Sequence, residues 1–353
     1  MLAGGRLALW RRPVRWVRRT LAPPGAIVLL YHRIGSASPD PWSLNVAPHH
    51  FAEHLDVLRR HMRIVPLREL AGEIPRRGQA RRPVAITFDD GYADNLATVT
   101  ALLRRHDATA TIFCTTGLIE RECEYWWDVL ERIFLYPGHL PASLTLTIEG
   151  ATRTWQLDAD AEYGDEAARR HRDWRASQAP PTGRHALYFA LWNLLHALPT
   201  ATRQDALGAL VVWAGISDRA RPTHRVLTRA EDIATLAGEG TIEIGAHTVS
   251  HPSLARLPVA AQREEIRESK ARLEALTGRP VTSFAYPFGG PSDYTPETVA
   301  LVRETGFERA CANFSGRVTR SSDRYQIPRL YVREGDGEAF ASRLTRWCGP
   351  LVG

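Results

Sequence analysis

The sequence predicts an α/β fold, a barrel of parallel strands and helices that carries one insertion. Short apolar strands alternate with amphipathic helices over residues 26–116 and again over 227–353, and polar residues follow the strand ends. The stretch 117–226 breaks this alternation and holds six of the ten tryptophans. A chain of 353 residues with 44% hydrophobic content is long enough for a barrel of roughly 250 residues plus such an insertion.

Apolar periodicity defines the predicted elements of the barrel. Eight short runs predict strands at residues 27–32, 64–67, 84–88, 108–114, 242–246, 281–286, 309–312 and 327–332. Apolar residues at helical spacing predict helices at 51–61, 95–105, 258–277, 295–305 and 338–347. Thr228 and Glu231 have the spacing of a capping box, which predicts a helix that continues to residue 237. Pro258 suits the first turn of the longest helix, and Gly278 suits its end.

The insertion has its own predicted elements. Residues 143–148 and 152–157 have the pattern of a hairpin that turns at Glu149 and Gly150, and amphipathic patterns predict helices at 185–198 and 203–213. Two interpretations of its tryptophans stay open: they form the core of a subdomain, or Trp126 or Trp127 reaches the site and stacks on a sugar ring. The predicted organisation is a basic segment (1–25), a first barrel part (26–116), the insertion (117–226) and a second barrel part (227–353).

The charge of the chain has a local origin. Six of the 45 basic residues lie within residues 1–25, which leaves 39 against 39 acidic residues, so the body of the chain has no basic bias toward nucleic acid. The segment 1–20 either contacts an anionic membrane surface or is a solvated tail. The first apolar run after it is too short for a signal peptide, and we therefore expect a cytoplasmic protein, with peripheral membrane contact left open. The four scattered cysteines fit reduced thiols.

Two adjacent carboxylates, Asp89 and Asp90, follow the apolar run 84–88 and precede Gly91. At the turn after a strand, both side chains can enter one pocket, where they would repel each other unless a cation or a shared proton lies between them. The alternative is that one caps a helix while the other is solvated.

A second polar cluster follows the predicted strand 242–246, where His247 and His251 are four residues apart. We expect this spacing to place them on one side of a helical turn. Two imidazoles and one carboxylate form a facial ligand set with open positions for water and substrate, which favours the metal interpretation of the two aspartates. Because strand ends meet at one face of a barrel, the two clusters and His32 are expected in one site.

Three motifs in this order resemble those of the polysaccharide deacetylase (NodB-homology) family: Thr87-Phe88-Asp89-Asp90-Gly91, His247-Thr248-Val249-Ser250-His251, and Phe284-Ala285-Tyr286-Pro287-Phe288-Gly289-Gly290. The resemblance covers roughly residues 26–115 and 228–335, and it implies a distorted (β/α) barrel of that type with a Trp-rich α+β insertion. It also implies that Asp89 is the catalytic base and that Asp90, His247 and His251 bind a divalent metal. Zinc is the default, and cobalt, nickel or manganese would also suit this ligand set.

The chain departs from the family pattern in two places. No histidine follows His251, so the usual C-terminal catalytic histidine is missing, and His32 is the substitute acid by its position at a strand end. Ala285 stands where the family has an arginine, and Arg329 is the candidate replacement. The alternatives are that His32 only bonds a loop and that Arg329 is an ordinary surface ion-pair partner.

The predicted function is removal of N-acetyl groups from sugars of a bacterial polysaccharide or its precursor. The metal would polarise the acetamide carbonyl, and a backbone N–H near Gly91 or Tyr92 would help to hold the oxyanion. Two alternatives remain: an O-acetyl esterase or non-sugar amidohydrolase, and a non-catalytic carbohydrate-binding protein. The predicted substrate contacts are Tyr92, Trp126, Trp127, Tyr286, Pro287, Phe288 and Gly289.

Overall fold

The computed structural model describes residues 25–74, 81–217, 219–227, 229–238 and 240–349. In chain order, the strands of these residues are β1 (Ile27–Tyr31), β2 (Arg33–Ile34), β3 (Asn45–Val46), β4 (Met62–Ile64), β5 (Arg82–Phe88), β6 (Ala110–Cys114), β7 (Gly138–His139), β8 (Ser143–Ile148), β9 (Ala151–Gln156), β10 (Glu162–Tyr163), β11 (Ile242–Ala246), β12 (Ser283–Ala285), β13 (Arg309–Cys311) and β14 (Leu330–Tyr331). The α-helices are α1 (Pro48–His61), α2 (Thr100–Arg105), α3 (Trp126–Phe134), α4 (Asp165–His171), α5 (Gly183–His196), α6 (Thr200–Ala214), α7 (Ala230–Gly238), α8 (Val259–Thr277), α9 (Pro296–Glu304) and α10 (Gly337–Cys348).

Eight strands form one parallel sheet, in the order β13-β12-β11-β6-β5-β1-β14, with β4 also paired to β5. A parallel bridge between Cys311 and Ile327 joins β13, at one edge, to the segment that leads into β14, at the other edge. The sheet is therefore curled in the manner of a barrel and surrounded by helices, as the sequence predicts. Because every strand runs in the same direction, all their carboxyl ends lie at one face.

Several helices and strands begin or end at other residues than the sequence predicts. The predicted strand 64–67 lies instead at β4, and Leu67–Glu69 forms a 3₁₀ turn, because Pro66 has no N–H for a sheet ladder. The predicted helix 95–105 begins with a π-helical turn over Asn95–Val99 before α2. The strands predicted at 281–286 and 327–332 shorten to β12 and β14. Pro258 lies at the N-cap of α8 rather than in its first turn, and Gly278 ends this helix with a φ of 63°.

The segment between β6 and β11 builds a second apolar cluster, separate from the barrel core. It contains the predicted hairpin, as β8 and β9, and the predicted helices, as α5 and α6. Its buried members come mainly from α3, α5 and α6, and Tyr92 joins them from the loop after β5. A subdomain core is thus present, while the boundaries 117–226 stay a prediction.

Two predictions concern residues that the structure does not describe. The basic segment 1–20 and its membrane contact lie outside the described residues, and so does the capping residue Thr228. Among the described residues, no helix combines the length and apolar character that crossing a membrane requires.

His54 of α1 is a buried histidine that joins two parts of the barrel. Its Nε2 is 2.7 Å from the carbonyl oxygen of Gly335, which can only accept, so Nε2 carries the proton and Nδ1 accepts from the hydroxyl of Tyr31 at 3.2 Å. The ring also stacks on Phe340 of α10 at 4.1 Å. Burial lowers the pKa of His54 to about 4, and the neutral ring therefore fits this contact.

We expect His54 to make the fold sensitive to acid. The unfolded chain binds a proton at His54 below a pH of about 6.5, whereas the folded chain does not until about pH 4. The free energy of unfolding should therefore fall as the pH drops through this window, by roughly 3 kcal/mol at most from this residue. Urea titrations at pH 7.5 and 4.5 should show a smaller loss in His54→Gln than in the wild type. An equal loss in both would show that other groups carry the acid sensitivity.

Candidate active site

The candidate site lies at the carboxyl ends of the barrel strands. Asp89 and Asp90 follow β5, His247 follows β11, and Phe288 lies in the loop after β12. Three site residues, Asp90, His251 and Phe288, have left-handed backbones, with φ values of 71°, 54° and 58°. Such conformations cost about 1–3 kcal/mol in non-glycine residues and cluster at functional sites. The surrounding structure therefore determines the backbone conformation of these three loops.

The turn after β5 aims both carboxylates into the site, and Gly91 makes this turn possible. Gly91 follows Asp90 with a φ of 63°, and a Cβ built on it would lie 3.3 Å from the sulfur of Cys114. A side chain at this position would therefore be strained by its backbone and crowded by β6.

Asp90, His247 and His251 form a compact buried group. Asp90 Oδ1 lies 3.5 Å from His247 Nε2 and 3.2 Å from His251 Nε2, and the candidate ligand atoms of the three residues all lie within 4.8 Å of one another. The two histidines converge without the helical turn that the sequence predicts. Residues 247–251 form a loop with positive φ at Thr248 and His251, because Glu265 of α8 accepts hydrogen bonds from the amides of Val249 and Ser250.

The geometry of this group fits a divalent cation. Ala285 O lies 2.7 Å from His247 Nδ1 and can only accept, so Nδ1 carries the proton and Nε2 presents a lone pair toward the carboxylate of Asp90. A lone pair facing a carboxylate repels it unless a cation or a proton lies between them. Two imidazoles and one carboxylate suit zinc and other first-row divalent metals.

The electrostatics of the group also reflect its burial. Burial alone would raise the pKa of Asp90, but the neighbouring imidazoles of His247 and His251 outweigh it and hold the pKa far below its usual range. Burial lowers the pKa of His251 to about 4, against the attraction of Asp90. Near neutral pH, Asp90 is thus an ionised carboxylate and His251 is a neutral imidazole, and these are the forms that bind metal.

Asp89 is held by Arg329 rather than by the metal group. Arg329 Nη1 and Nη2 each donate to one oxygen of Asp89 at 2.7 Å, and Arg329 Nε donates to Ala312 O at 2.9 Å. Arg329 is buried, so it is not a surface ion-pair partner. Burial would raise the pKa of Asp89, but Arg329 and His247 together lower it, so this carboxylate is ionised. The guanidinium of Arg329 therefore supplies a positive charge at Asp89, although Ala285 stands where the resemblance leads one to expect an arginine.

His32 lies on the same cavity as both aspartates, directly after β1. Burial lowers the pKa of His32, with Asp90 and Asp89 acting in the opposite direction. Its ring is 5.4 Å from the ring of Tyr331. The structure thus brings His32 to the place that the sequence predicts, and it leaves the ring neutral at neutral pH.

A cavity of about 290 Å³ opens over these residues. Its lining consists of His32, Trp42, Leu44, Asp89, Asp90, Trp127, Trp192, His247, His251, Phe288, Asn313, Tyr331 and Arg333. Of the predicted substrate contacts, Trp127 and Phe288 belong to the lining. Trp127 packs edge-on against His251, with the ring centroids 4.9 Å apart. The interpretation that an insertion tryptophan reaches the site is consistent with this placement.

The other predicted contacts lie away from the lining. Trp126 packs under Arg203, whose guanidinium lies 5.4 Å from the ring. Tyr286 is buried, with its ring stacked on Tyr294 and its hydroxyl donating to Tyr325 O. Tyr92 is also buried, with its hydroxyl donating to Asp128. Pro287 and Gly289 shape the loop around Phe288 without lining the cavity themselves.

The sequence did not single out two aromatic walls of the cavity. Trp42 and Trp192 lie 4.3 Å apart between ring centroids, although one belongs to the loop after β2 and the other to α5. The indole N–H of Trp42 donates to the hydroxyl of Tyr188 at 2.8 Å, which fixes its orientation. Trp42 lies in the connection between the barrel strand β1 and helix α1, where the active-site loops of such a barrel lie, and that position was the available signal. Nothing in the local sequence points Trp192 toward the site.

A second group of possible ligands, Asp128, Glu131 and His224, lies in the insertion. Its carboxylates already have partners, because Arg221 donates to Glu131 at 3.0 Å and Tyr92 donates to Asp128 at 2.8 Å. With Arg221 and Tyr92 already bonded to its carboxyl groups, this group is a buried hydrogen-bond network.

The chain thus combines a curled parallel barrel with an Asp-His-His group and a separate carboxylate at the strand ends. The family model "Polysaccharide deacetylase" matches residues 76–162 and 217–310, just over half of the chain. The chain belongs to the polysaccharide deacetylase family.

Individual relatives are distant. The protein YxkH of Bacillus subtilis (strain 168), whose name places it among the polysaccharide deacetylases, is 28% identical over 120 residues, which are 34% of this chain and 42% of that protein. The match thus spans less than half of the length of this relative. Several solved structures share the fold, and two of them illustrate the similarity. The deacetylase PplD of Streptococcus pyogenes has a TM-score of 0.52 at 16% identity, covering 93% of this chain and 100% of that one. IcaB of Ammonifex degensii has a TM-score of 0.54 at 18% identity, with 93% and 98% covered.

Proposed function

We propose that this chain is a metal-dependent hydrolase that removes N-acetyl groups from sugars of a bacterial polysaccharide or its precursor. One observation carries the proposal. Asp89 accepts hydrogen bonds from both Nη atoms of Arg329, and it lines the same cavity as the group of Asp90, His247 and His251. A carboxylate that only bound metal would not need its own arginine. A separate, ionised carboxylate beside a metal group is what proton abstraction from water requires.

Each residue has a role in this proposal. Asp90, His247 and His251 would hold a divalent cation, with zinc as the default, and such a cation would polarise the acetamide carbonyl and acidify the attacking water. Asp89 accepts the proton of this water, and Arg329 keeps Asp89 ionised and oriented. His32 faces the same cavity and, in its protonated form, would deliver a proton to the leaving amine. Trp127, Phe288, Trp42 and Trp192 offer apolar ring faces to a sugar.

The state of His32 favours a second candidate. Burial lowers the pKa of His32, so a smaller fraction of the protein carries the protonated ring that could act as the acid. An amine leaving group needs that proton, whereas an alcohol leaving group needs it less. Hydrolysis of O-acetyl esters by the same residues is therefore the alternative activity, and carbohydrate binding without turnover is the alternative from a different class.

Acetate release tests the proposal. The purified protein should be incubated with N-acetylated sugars, N-acetylated oligosaccharides and O-acetylated sugars, with added zinc or cobalt and with a chelator. We expect chelator-sensitive release from N-acetylated substrates. Release from O-acetylated substrates alone would establish the esterase. Silence across the panel, from protein shown to hold one metal per chain, would overturn the catalytic proposal and favour the carbohydrate-binding protein.

Trp192 should contribute to substrate affinity. We expect Trp192→Ala to raise KM for an acetylated oligosaccharide roughly two- to tenfold, if ring stacking here is worth about 0.5–1.5 kcal/mol. The metal content should not change, because Trp192 does not contact Asp90, His247 or His251. Trp155→Ala is the matched control, since Trp155 belongs to the insertion but does not line this cavity. If Trp192→Ala and Trp155→Ala have the same KM, Trp192 does not contribute to substrate binding.

A further inference from the structure

The first turn of α3 lies against both loops that carry the candidate metal ligands. This helix follows β6 and belongs to the Trp-rich insertion, so it is not part of the barrel that supplies the ligands themselves. Two of its aromatic residues make the contacts: Tyr125, at the N-cap, and Trp127, in the first turn. Both are buried, at 3% and 6% exposure.

Tyr125 holds the backbone of Asp90. Its hydroxyl donates to the carbonyl oxygen of Asp90 at 2.7 Å. Asp90 has the left-handed φ of 71°, a conformation that persists only where its surroundings determine it. The Asp90 carbonyl is a buried acceptor whose loss of a partner would cost about 1–3 kcal/mol. The hydroxyl of Tyr125 thus fixes the peptide that sets the direction of the Asp90 side chain.

Trp127 holds the ring of His251. The two rings meet edge to face at 4.9 Å, and Tyr125 stacks on Trp127 at 4.2 Å with an interplanar angle of 9°. The indole N–H of Trp127 donates to the hydroxyl of Tyr92 at 2.9 Å, and this hydroxyl donates to Asp128 Oδ2 at 2.8 Å. Trp127 therefore cannot rotate without breaking a buried hydrogen-bond chain.

The metal group and the base are held by different parts of the chain. Asp89 is oriented by Arg329, which lies just before β14, and Asp90 is oriented by Tyr125 of the insertion. Among the described residues, no hydrogen bond joins α3 to Asp89. Changes in α3 should consequently affect the metal site without removing the partner of the base.

We propose that Tyr125 and Trp127 are positioning residues that pre-arrange Asp90 and His251 for metal binding, with Tyr92 and Asp128 holding Trp127 in place. This inference rests on the proposed metal site. It gives the insertion a role in metal affinity, beyond forming a wall of the cavity. Partners of this kind, one contact behind the ligands, typically change metal affinity by roughly 10–100-fold when they are removed.

The test is a direct measurement of metal affinity. Zinc or cobalt should be titrated into chelator-treated wild type, Tyr125→Phe and Trp127→Phe in competition with a chromophoric chelator. We expect the dissociation constant to rise about tenfold or more in both variants, and the visible spectrum of the cobalt-loaded proteins to change with ligand geometry. Acetate release by Tyr125→Phe should recover at saturating metal, because Asp89 and Arg329 are untouched and Tyr125 does not line the cavity.

The matched control is Tyr163→Phe, which removes the hydroxyl of another buried insertion tyrosine. Its metal affinity should equal that of the wild type even if its stability falls. An unchanged dissociation constant in Tyr125→Phe and Trp127→Phe would overturn the inference, as would an equal rise in Tyr163→Phe. Wild-type protein that binds no metal would instead refute the metal site, so the two failures are distinguishable.

Discussion

Asp89→Asn is expected to reduce acetate release by roughly 10²–10⁴-fold, the usual contribution of a positioned general base. Asparagine is nearly isosteric, and its carbonyl oxygen can still accept a hydrogen bond from Arg329, but its amide cannot take a proton from water. The metal content should stay at the wild-type value, because Asp90, His247 and His251 remain. Acetate release and metal stoichiometry, measured on the same preparations, check both expectations.

Asp90→Asn is the natural comparison, since the two aspartates are adjacent. This variant should lose activity together with metal, whereas Asp89→Asn should lose activity alone. The stability of Asp89→Asn must be measured alongside, because the substitution leaves the buried guanidinium of Arg329 without a charged partner. If Asp89→Asn releases acetate as fast as the wild type, the assigned role of Asp89 is wrong. If the folded variant still binds a glycan without releasing acetate, the substrate site is intact and only the chemistry is lost.

Arg329→Met is expected to destabilise the fold by about 3–5 kcal/mol, the typical cost of removing one partner of a buried ion pair. It leaves the carboxylate of Asp89 buried and removes the two hydrogen bonds of 2.7 Å that orient it. Activity should fall with stability, because the pKa of Asp89 would then rise under the effect of burial. Urea unfolding followed by tryptophan fluorescence measures the first effect, and the pH dependence of acetate release measures the second.

Two further variants separate charge from geometry at this position. Arg329→Lys keeps the charge but lacks the planar fork that contacts both oxygens of Asp89, so it should recover part of the stability and little of the rate. The double variant Asp89→Asn, Arg329→Met should be more stable than the sum of the single changes predicts, because it removes both charges of the buried pair and leaves no unpaired charge. Strict additivity would show that the two residues do not interact as the structure indicates.

The sequence alone predicts the parallel sheet and the position of most of its strands. Those predictions rest on local properties: apolar runs of strand length, helical spacing, and Pro and Gly at helix ends. Asp89, Asp90, His247 and His251 could be found because each follows a strand, and the strand ends of a parallel sheet share one face. The separation of more than 150 residues between Asp90 and His247 is no obstacle to this inference, since it depends on topology alone.

Side-chain direction and long-range contacts could not be predicted in the same way. The two histidines converge through a loop with left-handed residues, and the anchoring acid, Glu265, belongs to the following helix. Tyr92 and Tyr286, placed among the substrate contacts by motif position, are turned into the interior by hydrogen bonds to Asp128 and to Tyr325. Motif position determines where the backbone passes, whereas packing against other elements determines where a ring points.

The partner of Asp89 and the aromatic walls depend on tertiary structure entirely. Arg329 reaches Asp89 across 240 residues because β14 pairs with β1, and β1 pairs with β5. Trp42 meets Trp192 only because the insertion folds over the barrel loop that carries Trp42. Sequence periodicity reports how each segment buries its own apolar side, and it contains no information about which distant segment supplies a neighbouring charge or ring. That choice is made by the pairing order of the strands and by the docking of the insertion.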